Sequence, residues 1–318
     1  FKYIREIICP YSKVMHYKIL KNKFNLYLTH VLEALVTRTG RKCTIVDSVD
    51  EADDAENEIV YILSFFHYTT VYPKKYIVFQ VEQMHCATFT KKKAYLTAIR
   101  HAIQCWDYNQ KNQPFYRSKC PIWMPVPVAC DVVGLVEDAL PLPLPLPPSD
   151  DADTDSIIDV LFYGAPNERR LNIMRYLSVT LEHHRIRVKY VTNVYNQPLY
   201  ALIRRSKIVL NLGFYPDTLL ATYRLNEILQ HHRAIISETT EHVQDKDIIS
   251  QYKQSGIYFI PYIHDNLDNI HYLVQGIHSI INESETLCRQ RTEKSIHFMK
   301  EKENFFLHHM HHTLAQLE

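Results

Sequence analysis

A proline-rich stretch near the middle of the chain restricts the possible folds more than any other feature. Residues 140–148 read LPLPLPLPP, and the acidic sequence SDDADTD follows at residues 149–155. Proline fixes φ and has no N–H to donate, so alternating prolines exclude both a helix and a central strand. A polyproline II spacer is the natural conformation of such a sequence. We therefore predict that residues 140–155 form an extended linker between two domains.

Strand-like and helix-like segments alternate on both sides of this linker. The alternation predicts an α/β protein with two Rossmann-like, doubly wound domains that face each other across a cleft. The domains would span 1–139 and 156–284, and a helical tail over 285–318 would pack back across the domain junction. The predicted strands are 3–9, 43–46, 59–66, 76–81, 105–108, 122–128, 157–163, 187–191, 208–212, 233–238 and 256–260, and the predicted helices are 24–35, 91–104, 171–184, 199–205, 219–230 and 267–282.

Composition argues against several classes of function. The 318 residues carry a formal net charge of +1, whereas a protein that binds nucleic acid mainly by charge needs a marked basic excess. The seven cysteines are scattered with no CxxC pair, which indicates neither a disulfide framework nor a zinc ribbon. No run of 18 apolar residues exists, so no transmembrane segment is expected. We expect an intracellular, cytoplasmic protein with reduced thiols, and peripheral membrane association stays open.

One segment of the second half, residues 207–238, combines buried strands with charged side chains. The run IVLNL at residues 208–212 predicts a buried strand, and the loop that follows contains Gly213. A helix then places Arg224 and Glu227 three residues apart near its start. In open α/β sheets, ligands bind beyond the carboxyl ends of strands and at helix N-termini. The alternative is an intrahelical surface ion pair, worth only a few tenths of a kcal/mol.

Several motifs in this region resemble the C-terminal half of GT-B glycosyltransferases, and in particular the glycosyl transferase group 1-like enzymes. The motifs are a strand followed by Gly-x-x-x-x-Arg-Arg and a helix, then KIVLNLGFY, YRLNEIL and AIISE. In the first half, YIVFQVEQ, CWDYNQKN and IWMPVPV agree in outline with the same enzymes. The similarity covers most of residues 59–282 and is most specific over residues 207–238.

The resemblance implies transfer of a sugar from a nucleoside-diphosphate donor, such as a UDP- or GDP-sugar. The acceptor would be a hydroxyl of a carbohydrate or glycoconjugate. The donor would lie mainly against the C-terminal domain and the acceptor against the N-terminal domain. Glu227 matches the glutamate that receives the ribose hydroxyls, and an ionised carboxylate can accept two hydrogen bonds from vicinal hydroxyls.

The resemblance also implies which residues surround the diphosphate. Arg224 and the pair Arg169 and Arg170 would face the phosphate oxygens, because a guanidinium fork matches their geometry. Of the pair, Arg170 is the preferred ligand-facing residue. Gly164 would let the backbone approach the donor. The remaining donor-side residues are Asn211 and Tyr215, which would line the same loop.

The sequence departs from the family pattern at one position and leaves the catalytic base open. Many relatives carry a second glutamate eight residues before the ribose-binding one, and Leu219 occupies that position here. The sugar contact and the retaining stereochemistry associated with the pair are therefore not implied. An inverting reaction would need a base from the N-terminal domain. The candidates, expected at carboxyl ends of strands, are Glu82, His85, His67 and His16, and each has the alternative of an ordinary loop or capping residue.

No metal and no other cofactor is expected, because enzymes of this fold generally hold the diphosphate with protein groups. The histidines at 308, 309, 311 and 312 include an i, i+4 pair, but no HEXXH motif accompanies them. A non-catalytic module that binds a nucleotide or glycan is an alternative from another class. An epimerase-type or nucleic-acid-base glucosylating relative on the same fold is a second enzymatic alternative.

Overall fold

The computed structural model describes residues 15–21, 26–50, 58–64, 72–80, 93–108, 110–116, 121–124, 126–130, 157–215, 219–240 and 245–318. The chain divides into two compact units. Unit 1 comprises Phe1–Lys23, Leu28–Pro125 and Phe305–Glu318, and unit 2 comprises Phe24–Tyr27 and Val126–Asn304. The predicted linker and the boundaries at 139 and 156 lie outside the described residues and stay predictions.

Unit 1 contains a six-stranded sheet. Its strands run parallel in the order β2-β1-β3-β4-β5-β6. All five residues of the central strand, YIVFQ at Tyr76–Gln80, are buried, as expected for a strand covered on both faces. The elements of this half are β1 (His16–Leu20), α1 (Leu26–Arg38), β2 (Lys42–Val46), β3 (Ile59–Ser64), β4 (Tyr76–Gln80), α2 (Lys93–His101), β5 (Gln104–Asp107), a 3-10 turn (Gln110–Phe115) and β6 (Ile122–Trp123).

Unit 2 contains a second, five-stranded parallel sheet, in the order β11-β10-β9-β7-β8. Its elements are β7 (Ile158–Tyr163), α3 (Glu168–Glu182), β8 (Val188–Val191), α4 (Asn196–Arg204), β9 (Ser206–Asn211), α5 (Thr222–Leu229), β10 (Ala234–Glu238), α6 (Asp245–Lys253), β11 (Tyr258–Ile260) and α7 (Ile270–Ile281). The two parallel sheets with flanking helices confirm the prediction of two Rossmann-like domains.

The core of unit 2 fixes the strands that end at the candidate site. Phe162 of β7 and Leu210 of β9 are fully buried in one cluster with Ile173 and Leu177 of α3. These two helix residues lie four apart, so a single face of α3 covers the sheet. Burying each such side chain contributes about 1.5–3 kcal/mol. The carboxyl ends of β7 and β9 are therefore held on a rigid support.

The predicted tail forms a single helix, α8 (Glu285–Ala315), of 31 residues. In its last part, Phe306, Met310 and Leu314 recur every four residues and are at most 1% exposed, so the helix buries an apolar stripe. Its predicted packing across the domain junction stays a prediction. Within the described ranges, no helix is both long and apolar enough to cross a membrane.

Several elements differ from the sequence predictions. Among the described residues, the predicted strand at 122–128 is limited to Ile122–Trp123. Residues 11–16 were expected to form a loop, but His16 begins β1, in which Tyr17 and Ile19 are fully buried and alternate with the half-buried Lys18. This period of two is the signal of a strand and was overlooked. Helix α6 (Asp245–Lys253) was also missed, because its sequence is mostly polar and only a few side chains are buried. The predicted strand at 3–9 lies outside the described residues.

Candidate functional site

The order of strands in unit 2 reverses beside β7. This strand pairs with β8 on one side and with β9 on the other, so the chain winds away from it in opposite directions. In open parallel sheets, a ligand crevice opens at such a switch point, beyond the carboxyl ends of the strands. The ends here are Tyr163 and Asn211, followed by Gly164 and by loop residues 212–215. We therefore place the candidate site at this switch point.

Gly164 allows two arginine side chains to approach the end of β7. Its φ of +141° lies in a region that L-residues rarely adopt. A Cβ atom at this position would lie 3.1 Å from Nη2 of Arg224 and 3.4 Å from Nη1 of Arg170. Any other residue would therefore strain the backbone and push against both guanidinium groups.

The helix that follows Gly164 starts with a side-chain cap. Asn167 has an extended backbone, and its Oδ1 accepts a hydrogen bond from the backbone N–H of Arg170 at 2.8 Å. Its Nδ2 donates to the carbonyl of Phe214 at 2.7 Å. Asn167 therefore ties the start of α3 to the loop after β9. The positive end of the helix dipole, which favours anions, lies at the switch point.

Arg170 is buried without a carboxylate partner among the described residues. Its guanidinium donates to the backbone carbonyls of Ala165 at 2.9 Å, Gly213 at 3.2 Å and Leu212. Burial, together with the neighbouring charges of Arg224 and of Arg169, lowers the pKa of Arg170 to about 9. The protein therefore holds this cation in place at an electrostatic cost, and an anion nearby would offset that cost.

Arg169 forms a buried ion pair instead of facing the switch point. Its Nη1 and Nη2 lie 2.7 and 3.1 Å from the two carboxylate oxygens of Glu238. It also donates to the carbonyls of Ile263 and Gly213, and its guanidinium lies 4.4 Å from the ring centroid of Tyr262. This placement corrects the expectation that the diphosphate-facing set includes Arg169. Its physical reason is that the charge of Arg169 is already neutralised within the core.

Sequence reasoning missed Glu238. Its carboxylate also accepts the backbone N–H groups of Gly213 at 2.6 Å and Ile263 at 3.0 Å, so it joins three segments at the edge of the sheet. The available signal was an acidic residue at the carboxyl end of a strand that begins with three apolar residues. Glu238 and Arg169 both bind the backbone of Gly213. The same loop provides the carbonyls of Leu212 and Gly213, to which Arg170 donates.

Arg224 forms no ion pair at contact distance in the described part of the chain. Its guanidinium lies over the ring of Tyr163, 4.8 Å from the centroid, and its Nε is buried without a hydrogen-bond partner. Its side chain is half-buried. A cation that is partly desolvated and lacks a carboxylate at contact distance is costly, so this side chain beside the carboxyl end of β7 is available to an anionic ligand.

Glu227 accepts a hydrogen bond from the hydroxyl of Tyr163 at 3.1 Å. Burial raises the pKa of the Glu227 carboxyl, and this shift is opposed by the hydroxyl of Tyr163, the charge of Arg224 and the nearby hydroxyl of Tyr200. The Tyr200 hydroxyl lies near the carboxylate without meeting hydrogen-bond geometry with any described residue. Arg224 and Glu227 do not pair with each other across the turn of α5, so the surface ion-pair alternative is wrong.

The remaining donor-side residues are Asn211, at the end of β9, and Tyr215, in the loop that follows. Asn211 is buried and its Nδ2 donates to Oγ of Ser237 at 2.9 Å, so it links β9 to β10. Tyr215 is half-buried and its ring packs edge-on against Phe214, with 4.7 Å between centroids. The structure therefore brings Gly164, Arg170 and Arg224 together, with Glu227 beyond the ring of Tyr163.

Of the four base candidates in the first half, only His16 lies within the described residues. Glu82, His85 and His67 lie outside them. His16 was expected at a carboxyl end but is the first residue of β1, and its Nε2 lies 3.1 Å from Oγ1 of Thr44. That expectation is wrong, because the strand starts where a loop was predicted. Among the residues described, no cluster of three or more His, Cys, Asp or Glu side chains could hold a metal ion.

Similarity to known proteins exists at the level of structure only. No protein-family model matches the sequence, and no curated protein matches it. The structure is similar to that of Anabaena HepE in complex with UDP and glucose, at a TM-score of 0.53 and 7% identity, covering 95% of this chain and all of the other. It is also similar to a UDP-forming α,α-trehalose-phosphate synthase from Burkholderia xenovorans, at a TM-score of 0.52 and 8% identity, covering 93% of this chain and 79% of the other. The chain therefore has the GT-B fold.

Proposed function

We propose that this protein is a glycosyltransferase whose nucleoside-diphosphate sugar donor binds at the switch point of unit 2. The observation that carries the proposal is the positive charge of the two arginines beside Gly164. Arg224 and Arg170 both approach this glycine, and neither has a carboxylate partner in the described part of the chain. A diphosphate offers the two negative charges and the oxygen acceptors that such a pair lacks.

Glu227 supplies the second element of donor recognition. Its carboxylate keeps acceptor capacity beyond the one hydrogen bond from Tyr163, so it can receive two vicinal hydroxyls of a ribose. Arg224 precedes Glu227 by three residues on α5, so one helix carries groups for both the phosphates and the ribose. This spacing fits a nucleoside diphosphate better than an isolated phosphate or an uncharged sugar.

The same cations would serve the chemical step. In sugar transfer, an acceptor oxygen bonds to the anomeric carbon while the bond to the diphosphate oxygen breaks, and the acceptor hydroxyl loses its proton. Charge then develops on the leaving diphosphate, where fixed guanidinium groups stabilise it. The proton would pass to a base of unit 1, for which we retain Glu82, His85 and His67 as proposals.

The structural neighbours support the choice of donor class. Anabaena HepE is described in complex with UDP-glucose, at a TM-score of 0.52 and 6% identity over 96% of this chain and all of the other. The synthase from Burkholderia xenovorans is described as UDP-forming. We therefore give UDP-sugars first place among the donors and leave the acceptor as a hydroxyl of unspecified carbohydrate or glycoconjugate.

A thermal-shift screen with UDP, GDP, ADP, CDP and dTDP tests donor binding. A ligand at a hundredfold its dissociation constant should stabilise the protein by about 2.7 kcal/mol. We expect at least one diphosphate to raise the melting temperature, and the Arg224→Gln variant to lose that shift. Arg175→Gln is a matched control, because Arg175 is an exposed arginine of α3 whose guanidinium donates a hydrogen bond to Oδ1 of Asn172. No shift with any of the five diphosphates would overturn the proposal.

A non-catalytic nucleotide-binding module is the second candidate function. Leu219, at 5% exposed, occupies the position where many glycosyltransferases of this type carry a glutamate. Release of UDP from UDP-glucose in the presence of a mixture of glycan acceptors separates the two functions. Turnover above a heat-inactivated control supports a transferase, whereas binding of UDP without turnover of any UDP-sugar supports the module.

A further inference from the structure

Tyr163 is the last residue of β7 and contacts both charged residues of α5. Its hydroxyl donates to Oε2 of Glu227 at 3.1 Å, and its ring lies beneath the guanidinium of Arg224 with 4.8 Å from centroid to Cζ. The side chain is 7% exposed. The hydroxyl of Tyr163 therefore contacts Glu227, the residue proposed to bind the ribose. Its ring contacts Arg224, a residue proposed to bind the phosphates.

The backbone of Tyr163 is fixed by the sheet. It is paired with Val191 of β8, and the preceding Phe162 is paired with Leu210 of β9 and buried in the core. Helix α5, in contrast, is short and follows residues 219–221, which have no regular structure. The side chain of Tyr163, whose backbone is fixed in the sheet, thus restricts the positions of Arg224 and Glu227 on the short helix α5.

We propose that Tyr163 is a positioning residue that sets the spacing between the ribose-binding and the diphosphate-binding groups. This inference rests on the proposed function. Neither contact is made to the ligand, so Tyr163 acts through its two neighbours. The two contacts use different parts of one side chain, and substitution can separate them.

Removal of the hydroxyl alone isolates the ribose side. Tyr163→Phe keeps the ring under Arg224 but deletes the donor to Glu227. A charge-assisted hydrogen bond of this kind is expected to change nucleoside-diphosphate affinity by roughly tenfold. Affinity for inorganic pyrophosphate, which has no ribose, should stay within about twofold of wild type.

Removal of the ring isolates the phosphate side. Tyr163→Leu deletes the hydroxyl and also the aromatic face on which the guanidinium rests. A cation–π contact at a partly desolvated site is worth enough for a severalfold effect. We expect pyrophosphate affinity to fall about five- to tenfold in this variant, whereas Tyr163→Phe leaves it unchanged.

The pH profile distinguishes positioning from a general loss of stability. The groups that face Glu227 are Tyr163 of β7, Tyr200 of α4, Arg224 of α5 and Tyr27 of α1. Burial raises the pKa of Glu227 and the Tyr163 hydroxyl lowers it, so Tyr163→Phe should raise it further. Because the ribose hydroxyls donate to the ionised carboxylate, affinity should fall with decreasing pH, and the fall should begin at a higher pH in Tyr163→Phe.

Isothermal titration across pH 5 to 8 tests the inference. It uses inorganic pyrophosphate and whichever of UDP, GDP, ADP, CDP and dTDP gives the largest thermal shift. Tyr76→Phe is the control, because Tyr76 is a buried tyrosine of unit 1 whose hydroxyl donates to the Ala98 carbonyl at 2.7 Å. We expect the affinity for pyrophosphate to fall in Tyr163→Leu and to stay unchanged in Tyr163→Phe. The pH dependence of nucleoside-diphosphate affinity should shift in Tyr163→Phe and stay unchanged in the control.

The outcomes separate the inference from the proposed function. If wild type binds a diphosphate and both Tyr163 variants keep its affinity and pH profile, the inference is overturned and the proposed function stands. If wild type binds none of the five, the proposed function fails and the inference fails with it. Circular dichroism on each variant verifies folding. If Tyr163→Leu does not fold, the pH dependence of nucleoside-diphosphate affinity in Tyr163→Phe still tests the inference.

Discussion

At the scale of single residues, two neighbouring arginines of α3 have different partners. Arg169 and Arg170 are adjacent, yet one is neutralised by Glu238 and the other is held only by backbone carbonyls among the described residues. The carboxylate that pairs with Arg169 belongs to Glu238 of β10, 69 residues later in the chain. The sequence could therefore indicate an arginine pair but could not assign separate roles to its members.

The Arg169–Glu238 pair should be essential for stability. Both side chains are at most 4% exposed, so Glu238→Gln leaves a buried guanidinium without its counter-ion. We expect unfolding free energy to fall by about 3–5 kcal/mol, as measured by urea denaturation. Lys207→Ala is the control, because Lys207 is half exposed and its ion pair with Asp159 should contribute less than about 1 kcal/mol. Equal effects of the two substitutions would contradict a structural role for Glu238.

His231 should make the stability of unit 2 depend on pH. The residue is 6% exposed, its Nδ1 has no hydrogen-bond partner in the described ranges, and burial lowers its pKa from 6.5 to about 3. The unfolded chain therefore binds a proton that the folded chain does not, and stability falls as pH decreases below about 6.5. The expected slope from this group is about 1.4 kcal/mol per pH unit.

Urea denaturation of wild type and His231→Phe at pH 7.5 and 5.0 measures this contribution. The difference between the two pH values should be smaller in the variant by about 2 kcal/mol. His297→Phe, at an exposed position of α8, should behave as wild type. An unchanged pH dependence in His231→Phe would show that other groups dominate acid destabilisation.

At the scale of elements, strand and helix positions were mostly predictable, and the contacts between elements were not. The apolar runs of β4, β7, β9 and β10 are strong local signals because parallel strands are buried on both faces. Helix α6 lacks such a signal. Tyr163 ends an apolar strand segment in the sequence, and its hydrogen-bond partner Glu227 lies 64 residues later, so no local pattern indicates the contact. Local patterns thus predicted the edge of the sheet but not how the side chains meet there.

The turn after β7 offers a matched pair of glycine substitutions. Gly164 and Gly40 both have φ in the left-handed region, at +141° and +83°. Alanine at either position should therefore cost about 1–2 kcal/mol of stability through backbone strain. At Gly40 the new Cβ would meet nothing within 4 Å, whereas at Gly164 it would press on Arg224 and Arg170.

Only Gly164→Ala should therefore weaken nucleoside-diphosphate binding, by about tenfold or more, in a titration that Gly40→Ala leaves unchanged. Circular dichroism and melting temperatures of the two variants provide the folding control. Equal affinities in the two variants would show that the arginines beside Gly164 do not contact the ligand.

At the scale of the whole molecule, the GT-B fold is present although no protein-family model and no curated protein matches the sequence. Identities of 7–8% to Anabaena HepE and the Burkholderia xenovorans synthase coexist with TM-scores above 0.5 over at least 93% of the chain. The architecture could be predicted because the alternation of strands and helices resumes after the proline-rich stretch. The catalytic base could not be identified, because the candidates Glu82, His85 and His67 rest on their position in the sequence alone.

Arg224 and Glu227 of unit 2 are proposed to bind a nucleoside diphosphate, and isothermal titration of the Glu227→Ala variant measures the part that the carboxylate contributes. We expect Glu227→Ala to lose at least tenfold in affinity for the diphosphate that binds wild type, because the ribose hydroxyls lose their acceptor. Its circular dichroism spectrum should match that of wild type. A variant that unfolds, with full affinity in the fraction that remains folded, would instead show that Glu227 is a structural residue and would contradict the claim.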